Sequence, residues 1–409
     1  MSNLLPDLQK FLNRIVFLRL VSLDSVEGLL SQVNTTNRTL LINNDNGINE
    51  VSIDEIISFF VIPFAYAADF QFDRVHLINT FNNTIVTDIP VENEPNGIAI
   101  TPKGIQAYVA NSGSNTVSVI NTSSNTVIAT IPVGDSPREI AILPNGTRAY
   151  VTNLVSHTVS VINTSSNTVI ATIPIGNNTG PNGIAILPNG TRAYVTNLVS
   201  HTVSVINTSS NTVIATIPIG NNTGPNGIAI LPNGTRAYIA NLVSDTVSVI
   251  NTSTNTVIAT IPVGSLPDSI AITPNGTRAY VTHSNPGRVS VINTSTNTVI
   301  ATILVSGSAR GIDITPDGTR AYVANAGTGA ADSSSIFVVN TSTNTEIATI
   351  PLPGSFSAID IAILPGGFRA FFSSSNGAVG IINTTNNTFT TTIPGGFNLR
   401  GIAITPITF

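Results

Sequence analysis

"AYVTNLVSHTVSVIN" spans residues 149–163 and returns letter for letter at residues 193–207, inside a longer identity that covers 151–194 and 195–238. Val or Ile alternates with Thr or Ser through it and Asn interrupts it, which is strand and turn chemistry with no helical period. Working outward, all seven tyrosines of the 409-residue chain follow an alanine: Tyr66, Tyr108, Tyr150, Tyr194, Tyr238, Tyr280 and Tyr322. Phe371 after Ala370 makes an eighth such position, and the spacings are 42, 42, 44, 44, 42, 42 and 49 residues. Each period divides into four runs: in one copy "GIAILP" (183–188) precedes the tight-turn dipeptide Asn-Gly, and "TRAYVTN", "TVSVINTS" and "NTVIATIPI" follow. Four short strands in a period of this length make a propeller blade, and the period is too long for leucine-rich or hexapeptide solenoids.

The "AYVTN" strand, the "PNG" turns, "VSVIN" and "NTVIATIPVG" resemble the YVTN family of β-propellers over residues 63–409. The resemblance implies blades whose first strand lines a central channel and whose fourth forms the rim. The strand count comes from the chain itself. Seven complete quartets begin at Gly97, Glu139, Gly183, Gly227, Ser269, Gly311 and Asp360. Three strands over about residues 64–91 lack a first strand, and one, "GIAIT" (401–405), is left over at the end. The remainders are complementary, so the sequence predicts an all-β, eight-bladed propeller closed by three strands from the start and one from the end, with no exposed inner edge. Seven blades, with one quartet displaced, is the alternative.

The first 62 residues follow another grammar. In "LPDLQKFLNRI" (5–15), Leu5, Leu8, Phe11, Leu12 and Ile15 share one helix face and Pro6 sits near the first turn, which predicts a helix. Five strand candidates follow, "VFLRLV" (16–21), "EGLLSQVN" (27–34), "TLLIN" (39–43), "EVSI" (50–53) and "IISFFVI" (56–62). A helix and five short strands, with Gly28 in the second, are similar to the Sm-like small barrel, and another SH3-type barrel fits the same count. The domains are therefore read as 1–62, a small barrel, and 63–409, the propeller. In the RNA-binding branch of the Sm-like family a basic loop precedes the last strand, whereas Asp54 and Glu55 stand there in this chain. The expected use of the barrel is self-association. "IISFFVIPFAYAADF" ends in Ala-x-Ala like an export signal, but it carries Asp54 and Glu55 where basic residues belong, so it reads as a domain junction. No run is long enough to predict a membrane span.

Composition narrows the chemistry. Only 9% of residues are charged and the net charge is -5, so no broad basic surface exists to bind nucleic acid through its phosphates. The absence of cysteine removes disulfides and thiolate metal sites. His76, His157, His201 and His283 have no partners at metal-ligand spacing and read as surface or loop residues; no metal or cofactor is expected. Nucleophile elbows and phosphate-cradling glycine loops are absent. Arg148, Arg192, Arg236, Arg278, Arg320 and Arg369 recur at one repeat position, where five guanidinium donors suit neighbouring turn carbonyls.

Variation is confined to one face. The turns between first and second and between third and fourth strands barely change, whereas the loops between second and third strands read "NSGSN", "NLVSH", "NLVSD", "HSNPGR" and "NAGTGAADSSS". Just before the inner strands stand Asn96, Arg138, Asn182, Asn226, Asp268, Arg310, Ile359 and Arg400, a ring of unlike groups at one mouth of the channel. The low charge and missing catalytic motifs lead to the expectation of a non-enzymatic surface or assembly protein, on a cell or spore exterior or else in the cytoplasm. It would self-associate through the N-terminal barrel, with a protein or glycan partner at the variable face. One alternative is a small-ligand binder or enzyme in which Arg138, Arg310 and Arg400 hold an anionic group opposed by Asp268, with Asn96, Asn182 and Asn226 completing the site. A second alternative is RNA binding through the barrel.

Overall fold

In the computed structural model, the described residues are 15–20, 25–34, 39–44, 47–52, 56–61, 63–327, 334–353, 356–396 and 398–406. Their regular structure is strand throughout. The expected helix over residues 5–15 falls, except for Ile15, outside the described residues, as do Asp54 and Glu55. The N-terminal part is one five-stranded sheet formed by β1 (Ile15–Leu20), β2 (Ser25–Asn34), β3 (Thr39–Asn44), β4 (Gly47–Ser52) and β5 (Ile56–Val61), in the order β4-β3-β2-β1-β5. β1 is antiparallel to both β2 and β5.

Eight four-stranded antiparallel sheets follow, in a propeller-like repeat. The inner strands of sheets 1 to 7 are Pro95–Ile100, Pro137–Ile142, Pro181–Ile186, Pro225–Ile230, Pro267–Ile272, Ala309–Ile314 and Ala358–Ile363. Sheet 8 joins the two ends of the repeat region: Leu399–Ile404 pairs with Phe64–Asp69, which continues into Arg74–Asn79 and Thr84–Pro90. The register is fixed by Leu399↔Asp69, Ile402↔Ala67 and Ile404↔Ala65, and the Phe64 amide donates to Thr405 Oγ1 at 2.8 Å. Leu399–Ile404 also lies against the inner strands of sheets 7 and 1.

The core lies between neighbouring sheets. Tyr150, Val159, Val161 and Ile173 of sheet 2 pack against Ala193, Val195 and Ile206 of sheet 3, and each fully buried aliphatic side chain of this kind contributes about 1.5–3 kcal/mol. Alternation in the outer strands leaves every second residue exposed, as in Thr168–Pro174. Neutral Thr and Ile form that outer face, which is how a chain so poor in charge covers its rim.

Polar clasps repeat with the same period. The tyrosine of each repeat is fully buried, and its hydroxyl donates to an asparagine in the third-to-fourth-strand turn of the next sheet: Tyr150 to Asn211 at 2.8 Å, Tyr194 to Asn255 at 2.8 Å, Tyr322 to Asn387 at 2.6 Å. Tyr66 of sheet 8 reaches Asn125 of sheet 1 at 3.4 Å. These acceptors adopt a left-handed backbone (φ 54° to 56° at Asn125, Asn211, Asn255 and Asn387), a conformation Asn tolerates better than most residues. The repeated arginines act on the same turns. Arg148, Arg192, Arg236, Arg278, Arg320 and Arg369 each donate through Nη1 to a threonine carbonyl of the following sheet.

The histidines depart from expectation. His76 and His283 are 1% and 0% exposed, because they occupy the seam between second and third strands where other sheets place Ser or Asn. In sheet 2, Asn153 Nδ2 fills that seam by donating to Thr158 and Ser160; in sheet 5, His283 Nε2 meets Ser290 Oγ at 2.9 Å. In sheet 8, His76 Nδ1 lies 2.7 Å from Asp88 and Arg74 Nε 3.1 Å from Asp69. His157 and His201 do sit in loops, where Nδ1 accepts the amides of Gly180 and Gly224.

The tyrosine clasp is testable without disturbing packing. Tyr194→Phe leaves the ring in place and takes the donor from Asn255, so stability should fall by about 1–2 kcal/mol in denaturant unfolding. An unchanged midpoint would mean that water replaces the hydroxyl without loss.

Candidate functional site

At the glycine-bearing junctions near the mouth the inner strands approach one another so closely that a Cβ would meet backbone. A Cβ on Gly97 would lie 2.2 Å from the carbonyl oxygen of Arg138, and one on Gly311 would lie 2.7 Å from Asp360 Cα. The residue just before this position rims the opening. A cavity of about 500 Å³ occupies this end of the channel, and Asn96, Asn182, Asn226, Asp268, Arg310 and Arg400 all line it, together with Ile359. Arg138 is not part of the lining, although Glu139, the next residue, is.

The rim divides into two unlike arcs. On one, Asn182 donates to Asn226, Asn226 donates to Asp268 Oδ1 at 2.7 Å, and the Asp268 carboxylate attracts Arg310. Burial holds the Asp268 carboxyl above the usual range, against the pull of Arg310 and Asn226. On the other arc stand Arg400, Asn96 and Arg138. Among the described residues, ion pairs join only Arg74 and His76 to Asp69 and Asp88, so Arg138, Arg310 and Arg400 have none. The Arg400 guanidinium lies 4.9 Å from the centre of the Phe70 ring; burial, then repulsion from Arg138 and Arg310, holds its pKa below the ordinary value. Arg138 Nε is buried without a hydrogen-bond partner.

Three carboxyl groups inside the channel were not singled out from the sequence: Glu139, Asp360 and Asp313. They replace the Gly, Gly and Ala that other inner strands carry, a signal visible when the eight strands are aligned with one another. Glu139 is pushed up to about 7, first by its enclosure in the ring and then by Asp360, while Arg138 opposes the shift. Its side chain is nevertheless open to the lumen, so channel water tempers the cost of its charge. Among the described residues its carboxyl has no hydrogen-bond partner. Asp313 and Asp360 are each raised to about 6 by burial, although each accepts two backbone amides.

A family model described as "Lactonase, 7-bladed beta-propeller" matches residues 54–172 and 165–304, together more than half of the chain. The chain belongs to this lactonase family. No curated protein matches the sequence. Among solved structures, the lactonase-family chain is similar to "Dihydro-heme d1 dehydrogenase NirN in complex with DHE", with TM-score 0.72 and 14% identity over 83% of this chain and 74% of that one. It is also similar to a functionally unknown protein from Desulfotomaculum acetoxidans (TM-score 0.57, 19% identity, 70% and 94% covered). Hydrazine synthase of Kuenenia stuttgartiensis gives TM-score 0.56 and 20% identity over 75% and 98%. At these identities the likeness is one of fold.

Membership of the lactonase family overturns the expectation of a non-enzymatic surface or assembly protein. Two of the three similar structures also bear the names of enzymes. The earlier inference failed because it averaged charge over the chain. The outer strands are largely neutral, while Glu139, Asp268, Arg310, Asp360 and Arg400 are gathered at the channel, where low polarizability strengthens their interactions.

The raised carboxyl groups set a pH dependence. Glu139, Asp313 and Asp360 bind protons more tightly folded than unfolded, so their contribution to stability is complete below about pH 4 and lost as pH rises through about 6 to 7. His283, whose pKa burial lowers to about 4, acts oppositely between about pH 6.5 and 4, and Asp69, held below its ordinary value against burial by His76 and Arg74, does so in stronger acid; the three carboxyl groups outweigh the one imidazole. The melting temperature should therefore be higher at pH 5 than at pH 8, and Asp313→Ala should flatten that difference. A melting temperature that rises from pH 5 to pH 8 contradicts the assignment.

Proposed function

We propose that the mouth cavity binds a small anionic molecule and that the chain acts on it as a hydrolase of cyclic esters, the chemistry the family's description names. The observation that carries this reading is the set of three arginines at the mouth, none with an ion-pair partner among the described residues, with Arg400 repelled by both Arg138 and Arg310. Glu139, just inside the rim, exchanges its proton near neutrality and faces the lumen. As a carboxylate it takes a proton from water while the water oxygen attacks the ester carbonyl. The ring C–O bond breaks, and the carboxylic acid returns the proton to the departing oxygen, giving a hydroxy acid. Guanidinium groups at the rim stabilise the oxyanion formed on the way.

The test is hydrolysis of a panel of lactones bearing a second, acidic group. Arg138→Ala with Arg400→Ala should raise KM at least about tenfold, each arginine contact being worth upwards of about 1.4 kcal/mol. Glu139→Gln should lower kcat by about 10²–10⁴ with KM little changed. Wild-type protein that neither turns over such lactones nor binds their hydroxy acids would reject the reading.

We also infer a closed eight-bladed propeller of YVTN type, one blade more than the family's description gives, with a small Sm-like barrel in residues 1–62. The pairing of Leu399–Ile404 with Phe64–Asp69 supports the closure. Removing residues 399–409 takes the inner strand, with buried Leu399 and Ile402, from sheet 8. Stability should drop by more than about 4 kcal/mol in chemical denaturation, and an unaltered curve rules the closure out.

A further inference from the structure

Along each inner strand the mouth cavity is built in three steps: a rim residue, a collar residue just inside it, and an isoleucine below. Ile98, Ile184, Ile228 and Ile270 line the cavity at the third step, and all four are half-buried, so their methyl groups reach open space. Ile140 and Ile361 hold the same repeat position, but they are buried and stay out of the lining. Beside two of the open isoleucines the collar is glycine. A Cβ on Gly183 would lie 3.4 Å from Ile228 Cγ2, and one on Gly401 would lie 3.4 Å from Ile98 Cγ2, so glycine keeps the space beside these methyl groups clear. Ile184, Ile228 and Ile270 stand on adjacent inner strands, those of sheets 3, 4 and 5, and form one apolar wall.

The polar groups above this wall are engaged with one another. Asn182 donates to Asn226, Asn226 donates to Asp268, and the Asp268 carboxylate attracts Arg310. Arg400, which lines the same cavity from sheet 8, has no ion-pair partner among the described residues. An isoleucine of the wall lies two residues inward from the rim, about 6–7 Å along a strand. A molecule filling the cavity of about 500 Å³ therefore meets a cation at the mouth and hydrocarbon below it.

We infer that the cavity takes an organic acid with a hydrocarbon body, its anionic group at Arg400 and its carbon chain on the wall of Ile184, Ile228 and Ile270. The inference rests on the anionic-ligand reading of the mouth and names the substrate class within it: acidic lactones with alkyl substituents, in preference to polyhydroxylated ones. A methylene moved from water onto the wall gains about fourfold in affinity. A hydroxyl moved there leaves water for methyl groups that neither donate nor accept, and loses affinity.

Acetate, butyrate, hexanoate and gluconate are the probes, each titrated into the full chain by calorimetry. Hexanoate should bind at least about thirtyfold more tightly than acetate, with butyrate between them. It should also bind at least about tenfold more tightly than gluconate, its polyhydroxylated six-carbon counterpart. Ile228→Thr keeps the branched shape and puts a hydroxyl on the wall, and should cut the ratio of hexanoate to acetate affinity at least about threefold. Equal affinities along the alkanoate series, or gluconate bound as tightly as hexanoate, overturn the inference, and wild-type protein alone decides this even where Ile228→Thr does not fold. A folded Ile228→Thr with an unchanged ratio overturns it as well. If the acids bind wild-type protein equally and Arg138→Ala with Arg400→Ala abolishes that binding, the anion-binding mouth stands and only the apolar wall is rejected. Failure of all four acids to bind rejects the inference, and if acidic lactones and their hydroxy acids also fail to bind, the reading of the mouth falls with it.

Discussion

Seven of the eight sheets are fastened to the next by a buried tyrosine hydroxyl that donates to an asparagine in its neighbour's turn. The tyrosine ring fills the core between sheets, the asparagine holds the left-handed turn that its small polar side chain tolerates, and the hydrogen bond ties one to the other across the junction. A buried phenol left without an acceptor would cost about 1–3 kcal/mol, so tyrosine and asparagine constrain each other and the period cannot drift. The adjacent arginine donates to a carbonyl of the same turn, giving most junctions a second tie. At sheet 7, where Phe371 replaces tyrosine, Arg369 alone reaches Thr80, Phe81 and Asn83.

A scaffold clasped this way frees its inner strands from most of the work of holding the ring. Those strands carry the unlike residues: arginine, aspartate, asparagine or isoleucine at the rim, and glycine, glutamate or aspartate one step inward. A backbone approach that excludes Cβ at Gly97 and Gly311 shows how little room the channel edge offers. A carboxylate inserted there sits among edge amides, and this is how Asp313 and Asp360 are held. Repetition therefore supplies rigidity, and the departures from it supply chemistry.

The rim residues Asn96, Asn182, Asn226, Asp268, Arg310 and Arg400 could be picked out because each stands immediately before the repeated "GIAI"-type run that marks an inner strand. Glu139, Asp313 and Asp360 lay in view at repeat positions too, but a repeat scan weights what recurs, and these three matter because they do not. The seam histidines were misplaced for a related reason. A lone imidazole in a polar sequence reads as exposed unless its partner is known, and Ser290 and Asp88 become the partners of His283 and His76 only through strand pairing.

By itself, the sequence determined the repeated four-strand unit, its register and the positions of the clasping residues, because each follows from alternation and turn chemistry within some forty residues. Tertiary structure alone decided which side chains meet. Glu139 and Asp360 are more than two hundred residues apart in the chain, and Asp360 still raises the proton affinity of Glu139; Arg400 is repelled by Arg138 and Arg310, which stand on two other sheets. Charge density in the channel is a property of how the strands are arranged in space, and a composition of 9% charged residues conceals it.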